Sequence, residues 1–515
     1  MKQRNGLPFV CIFLFVVSSL AWCQDVPSQP TANDAAALTA AVHDLQQQVQ
    51  ELRSAVADVR SEAAQYRHET DELRRELEVA RQGTSTQTNP PATESSVESM
   101  PAPTESSLAK RVDSLEETTS LINDKVNEQA QTRVESGSKY HVRLSGLMLM
   151  NLFDNHGGTD NSDIPSFAVP SVISGNSNFG ATVRQSEIGL EVFGPDFAGA
   201  KISGSMMADF SGGFPDTWNG VDSGIFRLLT ANVRMDWKNT AIVAGQDSLF
   251  ISPSSPTSFA SIAIPTFNYA GNLWAWTPQV RIEHEFHLDD NDVVKLQGGI
   301  LDNLTGDFPL NSFDRTAQGG ERSGQPAYAA RASWTGNVFG EPITLGTAAY
   351  YSRENWLFGR NVDGWAGLAD WDIPLGPYFS LSGEAYNGRA IAGLNGGVGR
   401  SVLFSGDPTQ STTTVFGLHS RGGWSQLKLK ATSRLEFNAA LGLDNPDAND
   451  ARNFAGGSIY VGPTIVRNVG SLGNIIYRPR SNVILSTEYR HISTAGIFGD
   501  HNSANQLNMI MGILF

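Results

Sequence analysis

The hydrophobic pattern changes period along the chain. From Leu38 onward, apolar residues recur at alternating spacings of three and four. One seam position carries Val42, Val49, Val56, Ala63, Thr70 and Leu77; the other carries Leu38, Leu45, Leu52, Val59, Tyr66 and Leu73. Charged residues lie between them, so residues 38–82 are expected to form a coiled coil. At the rise of an α-helix the rod would be about 60 Å long. Residues 83–107 are rich in Ser, Thr, Pro and Glu and read as a disordered linker. A second, shorter coiled coil is expected over 108–136, with Leu108, Leu115 and Ile122 on one seam and Val112, Thr119 and Val126 on the other. Val at one position and Leu at the other nominally favours two parallel strands; the heptads alone leave two or three open.

From Tyr140 the period falls to two. Leu435, Phe437, Ala439, Leu441 and Leu443 alternate with Arg434, Glu436, Asn438, Ala440 and Asp444. Val280, Ile282, Phe286 and Leu288 alternate with Arg281, Glu283, Glu285 and His287, His284 interrupting the apolar side. Leu507, Met509, Met511, Ile513 and Phe515 close the chain in the same manner. Segments of about ten residues with this repeat suit a closed membrane-spanning sheet. Connections alternate in length. Short turns are expected at 194–199, 238–239, 289–292, 335–341, 374–377, 431–433 and 479–481. Long loops are expected near 154–180, 211–224, 248–278, 302–325, 355–363, 389–412, 445–471 and 492–504. The expected fold is therefore an all-β transmembrane barrel over 140–515, with about 16 antiparallel strands, short periplasmic turns and long outer loops. A soluble β-sandwich also alternates but has no reason to alternate its loop lengths. Phe153, Phe193, Trp237, Trp334, Trp371, Tyr378, Phe379, Tyr477 and Tyr489 lie near strand ends, where aromatic girdles meet the membrane surfaces.

Composition narrows the class. Charged residues are 17% of the 515, Gly numbers 50 and the net charge is −16, which disfavours a nucleic-acid partner. Lys2, Arg4, the apolar run Val10–Val17 and Ala21-Trp22-Cys23 read as a signal peptide over 1–23, followed by a short linker over 24–37. An acylated Cys23 is the alternative, disfavoured by the bulky Trp22. The two cysteines are Cys11 and Cys23, so cleavage after Cys23 leaves neither disulfides nor thiolate metal sites. The expected location is the outer membrane, with the coiled coil in the periplasm.

No nucleophile elbow, phosphate loop or dinucleotide fingerprint is present. In Glu283-His284-Glu285-Phe286-His287 the two histidines fall on opposite faces of a strand and cannot share a metal without a bulge. Neither enzyme activity nor a metal or cofactor is expected.

The architecture resembles the DcaP-like group of trimeric outer-membrane porins, within the general bacterial porin superfamily. The likeness rests on Arg184-Gln185-Ser186-Glu187-Ile188-Gly189-Leu190 at the opening of the second strand and Ala244-Gly245-Gln246 at the end of the fifth. The terminal Ile513-Leu514-Phe515 is similar to the signature read by the barrel-assembly machinery, with Met511 on the same face. The resemblance implies a homotrimer, hence a three-stranded rod, and passive uptake of small, often anionic solutes. It also implies that loop 248–278 folds inward as the constriction. One departure is Asp247-Ser248-Leu249, where the family has an aromatic.

Alternation places Arg234, Arg281, Glu283, Lys295 and Arg331 on the lumen face, Arg184 at a strand mouth and Asp247 at the loop root. These seven are the candidate pore-lining residues, and the arginines among them point towards anions. The partners expected are membrane lipid and small solutes. An alternative function is a structural tether whose rod binds peptidoglycan or a periplasmic protein, with the barrel as anchor.

Overall fold

The structure, a computed structural model, describes residues 140–515 apart from 215–223, 290, 306–314, 339 and 454–464, together with Arg133–Val134. The signal peptide, the first coiled coil, the linker and all but two residues of the second coiled coil lie outside the described residues. Arg133–Val134, at the end of that second stretch, is extended and pairs with Val142 and Arg143.

Sixteen strands close into a cylinder. They are β1 (His141–His156), β2 in two pieces (Ser177–Thr182 and Glu187–Phe193), β3 (Lys201–Asp209), β4 (Arg227–Asp236), β5 (Thr240–Ser248), β6 (Trp276–His287), β7 (Val293–Leu301) and β8 (Ala327–Val338). The remainder are β9 (Glu341–Asn355), β10 (Asn361–Pro374), β11 (Phe379–Arg389), β12 (His419–Lys430), β13 (Leu435–Pro446), β14 (Ile465–Arg480), β15 (Val483–Gly496) and β16 (His501–Leu514). Each pairs antiparallel with the next. The last returns to the first, with Leu514 opposite Leu147 and Asn505 opposite His156. Gly146 and Phe515 exchange both backbone hydrogen bonds, so the terminal residue is stitched into the seam. No helix among the described residues is long and apolar enough to cross a membrane.

The two faces sort as the alternation requires. On β16, Leu507, Met509, Met511 and Ile513 are 41–57% exposed, whereas Asn508 is fully buried. On β6, Val280, Ile282 and Phe286 face out while Gln279, Arg281 and Glu283 are buried inside. His284 shares the outer face with Phe286, their rings 4.5 Å apart, and bonds Thr240 Oγ1 at 2.7 Å. Phe193, Tyr378, Phe379 and Tyr477 are exposed near the short turns, and Tyr328, Tyr351 and Trp365 towards the opposite rim. They fit two aromatic belts.

Several expected details differ. Phe153 points inward, in register with Leu147, Leu149 and Asn151; its ring fills the space beside Gly180, the residue opposite it. The expected turn 335–341 is mostly strand, because Thr335–Val338 continue to pair with Glu341–Thr344. The last outer loop is only residues 497–500: β15 and β16 keep pairing up to Ala495 opposite His501. The β2 strand begins at Ser177, so Arg184-Gln185-Ser186 interrupts it rather than opening it. Four residues there face three of β1, and Ser186 Oγ takes the Leu149 N–H at 3.0 Å in place of a ladder bond.

Replacing Met509 by Arg puts a charge on the outer face. Folding into lipid, read as the heat-modifiable band on electrophoresis, should weaken by about 2–4 kcal/mol if the site is near the bilayer midplane. Unchanged folding would mean that this face does not meet hydrocarbon.

Candidate functional site

Inside the cylinder lies the segment Leu249–Ala275, which links β5 to β6. It bonds to strands on every side. The Thr257 N–H donates to Gln426 Oε1 on β12 at 2.7 Å, and the Thr257 carbonyl accepts from Asn474 Nδ2 on β14 at 2.8 Å. Ser252 Oγ donates to Glu384 on β11 at 2.7 Å. In the break of β2, Gln185 donates to the Ala260 carbonyl at 3.0 Å and accepts from the Ile262 N–H at 2.9 Å. Arg227 on β4 donates to the Ala263 carbonyl at 2.7 Å, and Asn468 on β14 to the Tyr269 carbonyl at 2.9 Å. A loop held by β2, β4, β11, β12 and β14 crosses the lumen. The inward fold of this loop, implied by the family resemblance, is what the structure has.

Apolar contacts seat it at three places. Phe250, Ile251 and Leu273 pack with Tyr350, Leu368 and Tyr386. Ala260 packs with Leu149, Ile476 and Ile510, and Phe267 with Trp424, Ala440 and Leu472. The last seat is a notch. Gly442 and Gly470 stand opposite one another on β13 and β14, and a Cβ at either would strike the Phe267 ring. Gly271 lies so close to the wall that a methyl group would collide with the carbonyls of Gly423 and Leu443. Phe267 and Tyr269 adopt left-handed backbone, with φ of 61° and 58°. Such conformations cost about 1–3 kcal/mol each and persist only where surrounding contacts over-determine them. The wall supplies those contacts.

Six of the seven candidate residues come together on one wall. Glu283 is the hub: Arg281 lies 2.7 Å away, Lys295 3.1 Å and Arg234 3.3 Å. Arg281 also reaches Asp247 at 2.7 Å, and Arg234 reaches Asp236 at 2.8 Å. Gln297 bonds Glu283 at 3.1 Å and accepts from Arg331 at 3.2 Å; Arg331 in turn grips Asp370 with two bonds of 2.6 and 3.1 Å. Glu285 lies 3.5 Å from Lys295. Four bases thus meet five carboxylates. Arg184 is elsewhere, buried in the break of β2 against Asp163 at 2.6 Å, with its guanidinium over the Phe214 ring.

The sequence reading missed Asp370 and the amides that hold the loop. Asp370 was within reach of the alternation, since it neighbours outward Trp371 on β10. Gln185, Gln426 and Asn474 were not, because their partners are backbone groups of a loop without regular structure.

No protein-family model matches the chain, and no curated protein is a significant match. Solved structures do resemble it. The outer-membrane channel DcaP of Acinetobacter baumannii superposes with a TM-score of 0.56 at 16% identity, over 74% of this chain and 99% of that one. The chain has the fold of an outer-membrane porin. An anion-selective porin from Comamonas acidovorans and OmpT of Vibrio cholerae align at 11% and 10% identity with TM-scores of 0.45 and 0.44. Those two matches cover 73% and 74% of this chain and 100% and 99% of theirs.

Filling the glycine notch should release the loop. Gly470→Val is expected to leave the barrel folded but to expose 249–275 to protease in detergent, where the native loop resists. Equal resistance would remove the notch from the account.

Proposed function

We propose that this porin gives passive diffusion of small hydrophilic solutes through the barrel, with loop 249–275 forming the constriction against the wall of Arg234, Asp247, Arg281, Glu283, Lys295 and Arg331. The observation that carries the reading is the loop itself, bonded across the lumen to five strands. A mere membrane anchor has no need of it. The arginines named confer no anion preference by number alone, since each lies within 3.3 Å of a carboxylate. A ring of one sign is what confers charge selection.

In this reading the barrel lies in the outer membrane as a homotrimer, and the heptads of 38–82 and of 108–132, ahead of the Arg133–Val134 strand, form a three-stranded periplasmic rod. The exposed outward faces of Met511, Ile513 and the seam-bound Phe515 suit recognition by the assembly machinery. Planar-bilayer recording tests the channel, and stepwise, steady conductance from purified protein is expected. Silence from protein shown to be folded would favour the tether.

Two further outcomes follow. Glu283→Gln leaves Arg234, Arg281 and Lys295 short of their shared carboxylate. The chloride-to-potassium permeability ratio, read from reversal potentials in a salt gradient, should rise roughly threefold; no change would place Glu283 outside the ion path. Deleting residues 24–132 removes the rod but keeps the Arg133–Val134 ladder. The truncated chain should still insert as a heat-modifiable barrel, and failure to fold would contradict the two-module reading.

A further inference from the structure

The constriction loop carries no charge at all. From Leu249 to Ala275 there is no Asp, Glu, Lys, Arg or His. On the wall that it faces the charges are mostly paired, and Glu384, which accepts from Ser252 of the loop, is fully buried; the cluster about Glu283 and the Arg331–Asp370 pair lie on one side. Glu436 between Lys428 and Arg478, and the Arg490–Glu488 pair, lie on the other. An ion entering the narrow region would shed water without meeting a ring of opposite charge, which is costly for either sign.

What the loop does present is aromatic. Trp274, Tyr269 and Phe259 are half-buried, as is Trp276, the first residue of β6. Trp274 and Trp276 meet edge to face at 4.8 Å, and Tyr269 lies 6.4 Å from Phe167 in the outer loop 157–176. The Trp274 backbone bonds Leu394 and Asn395 of another outer loop, so these rings lie on the extracellular side. Phe259 lies on the opposite side, beneath the guanidinium of Arg478 close to a periplasmic turn. Rings therefore stand at both faces of an uncharged loop, and the wall opposite carries the half-buried amide of Gln297.

Accepting that the chain is a porin, we propose that its preferred solutes are neutral and polyhydroxylated, such as short sugars, recognised by stacking on the loop's aromatic rings and by hydrogen bonds to amides. A ring face is electron-rich and attracts the polarised C–H groups of a sugar. Amides and hydroxyls replace water around its hydroxyls, and no charge has to be stripped.

The test is planar-bilayer recording of the full-length protein, with maltotriose and succinate as probes. A potassium-to-chloride permeability ratio between about one-third and three is expected. Maltotriose should block the current saturably, and at lower concentration than succinate. Trp274→Ala should raise the half-blocking concentration of maltotriose by about tenfold while that of succinate moves by less than about twofold. Should that variant fail to fold, Trp276→Ala gives the same comparison. Stronger block by succinate, or a permeability ratio beyond about tenfold in either direction, would overturn the solute class while leaving the porin intact. Absence of any channel would overturn both.

Discussion

Hydrocarbon offers no hydrogen bonds, so every backbone N–H and C=O that crosses the membrane must find its partner within the chain. The structure meets that demand by pairing β16 back onto β1 and by fixing Phe515 against Gly146. Closure leaves no free edge. It also forces a division of side chains, because each strand then has one face in lipid and one towards the lumen. The outward Leu, Met and Ile of β16 and the inward amides beside them follow from that single constraint.

The same demand recurs inside the lumen. Loop 249–275 has little regular structure, so its peptide groups must be met by something other than a ladder. Wall amides and Arg227 do this, with Thr257 bonded through both its N–H and its carbonyl. Apolar seats then fix the loop's position, and the strained backbone at Phe267 and Tyr269 suits a segment whose place is dictated by the wall. The charge pattern belongs to the same design. A buried charge is tolerated when it is paired, and Glu283, Arg281 and Arg331 are all paired beside the loop. The arginines on these strands are therefore structural counter-charges as much as parts of a path, which explains why their number alone says little about selectivity.

Much of the barrel was legible in the sequence because a period of two has one interpretation once a face must be greasy. The alternation placed Arg234, Arg281, Glu283, Lys295 and Arg331 inside, where they are. It misjudged Phe153, since an aromatic near a strand end resembles a girdle residue unless the opposite Gly180 is known. It misplaced Arg184, because the extra residue at 183–186 breaks the count of two and no local signal announces it. Turn residues such as Gly336 and Asn337 suggested an early end to β8, but pairing with Ile343 and Pro342 carries the strand onward. Ion pairing between strands was beyond reach, for it depends on register, which the alternation of one strand does not contain.

The central claim, a neutral loop latched across the lumen of a closed barrel, is tested most directly by joining Thr257→Cys to Gln426→Cys with a short bis-maleimide, because the length of the Gln426 side chain sets the two positions further apart than a disulfide spans. These side chains bond at 3.2 Å in the native protein, although they are 169 positions apart. The mature chain is expected to lack cysteine, so any bridge would be specific. The folded, membrane-inserted double variant should be joined by the reagent into one cross-linked species without losing its heat-modifiable barrel. If each thiol in folded protein takes its own reagent molecule and no cross-link forms, the loop does not lie where the structure places it.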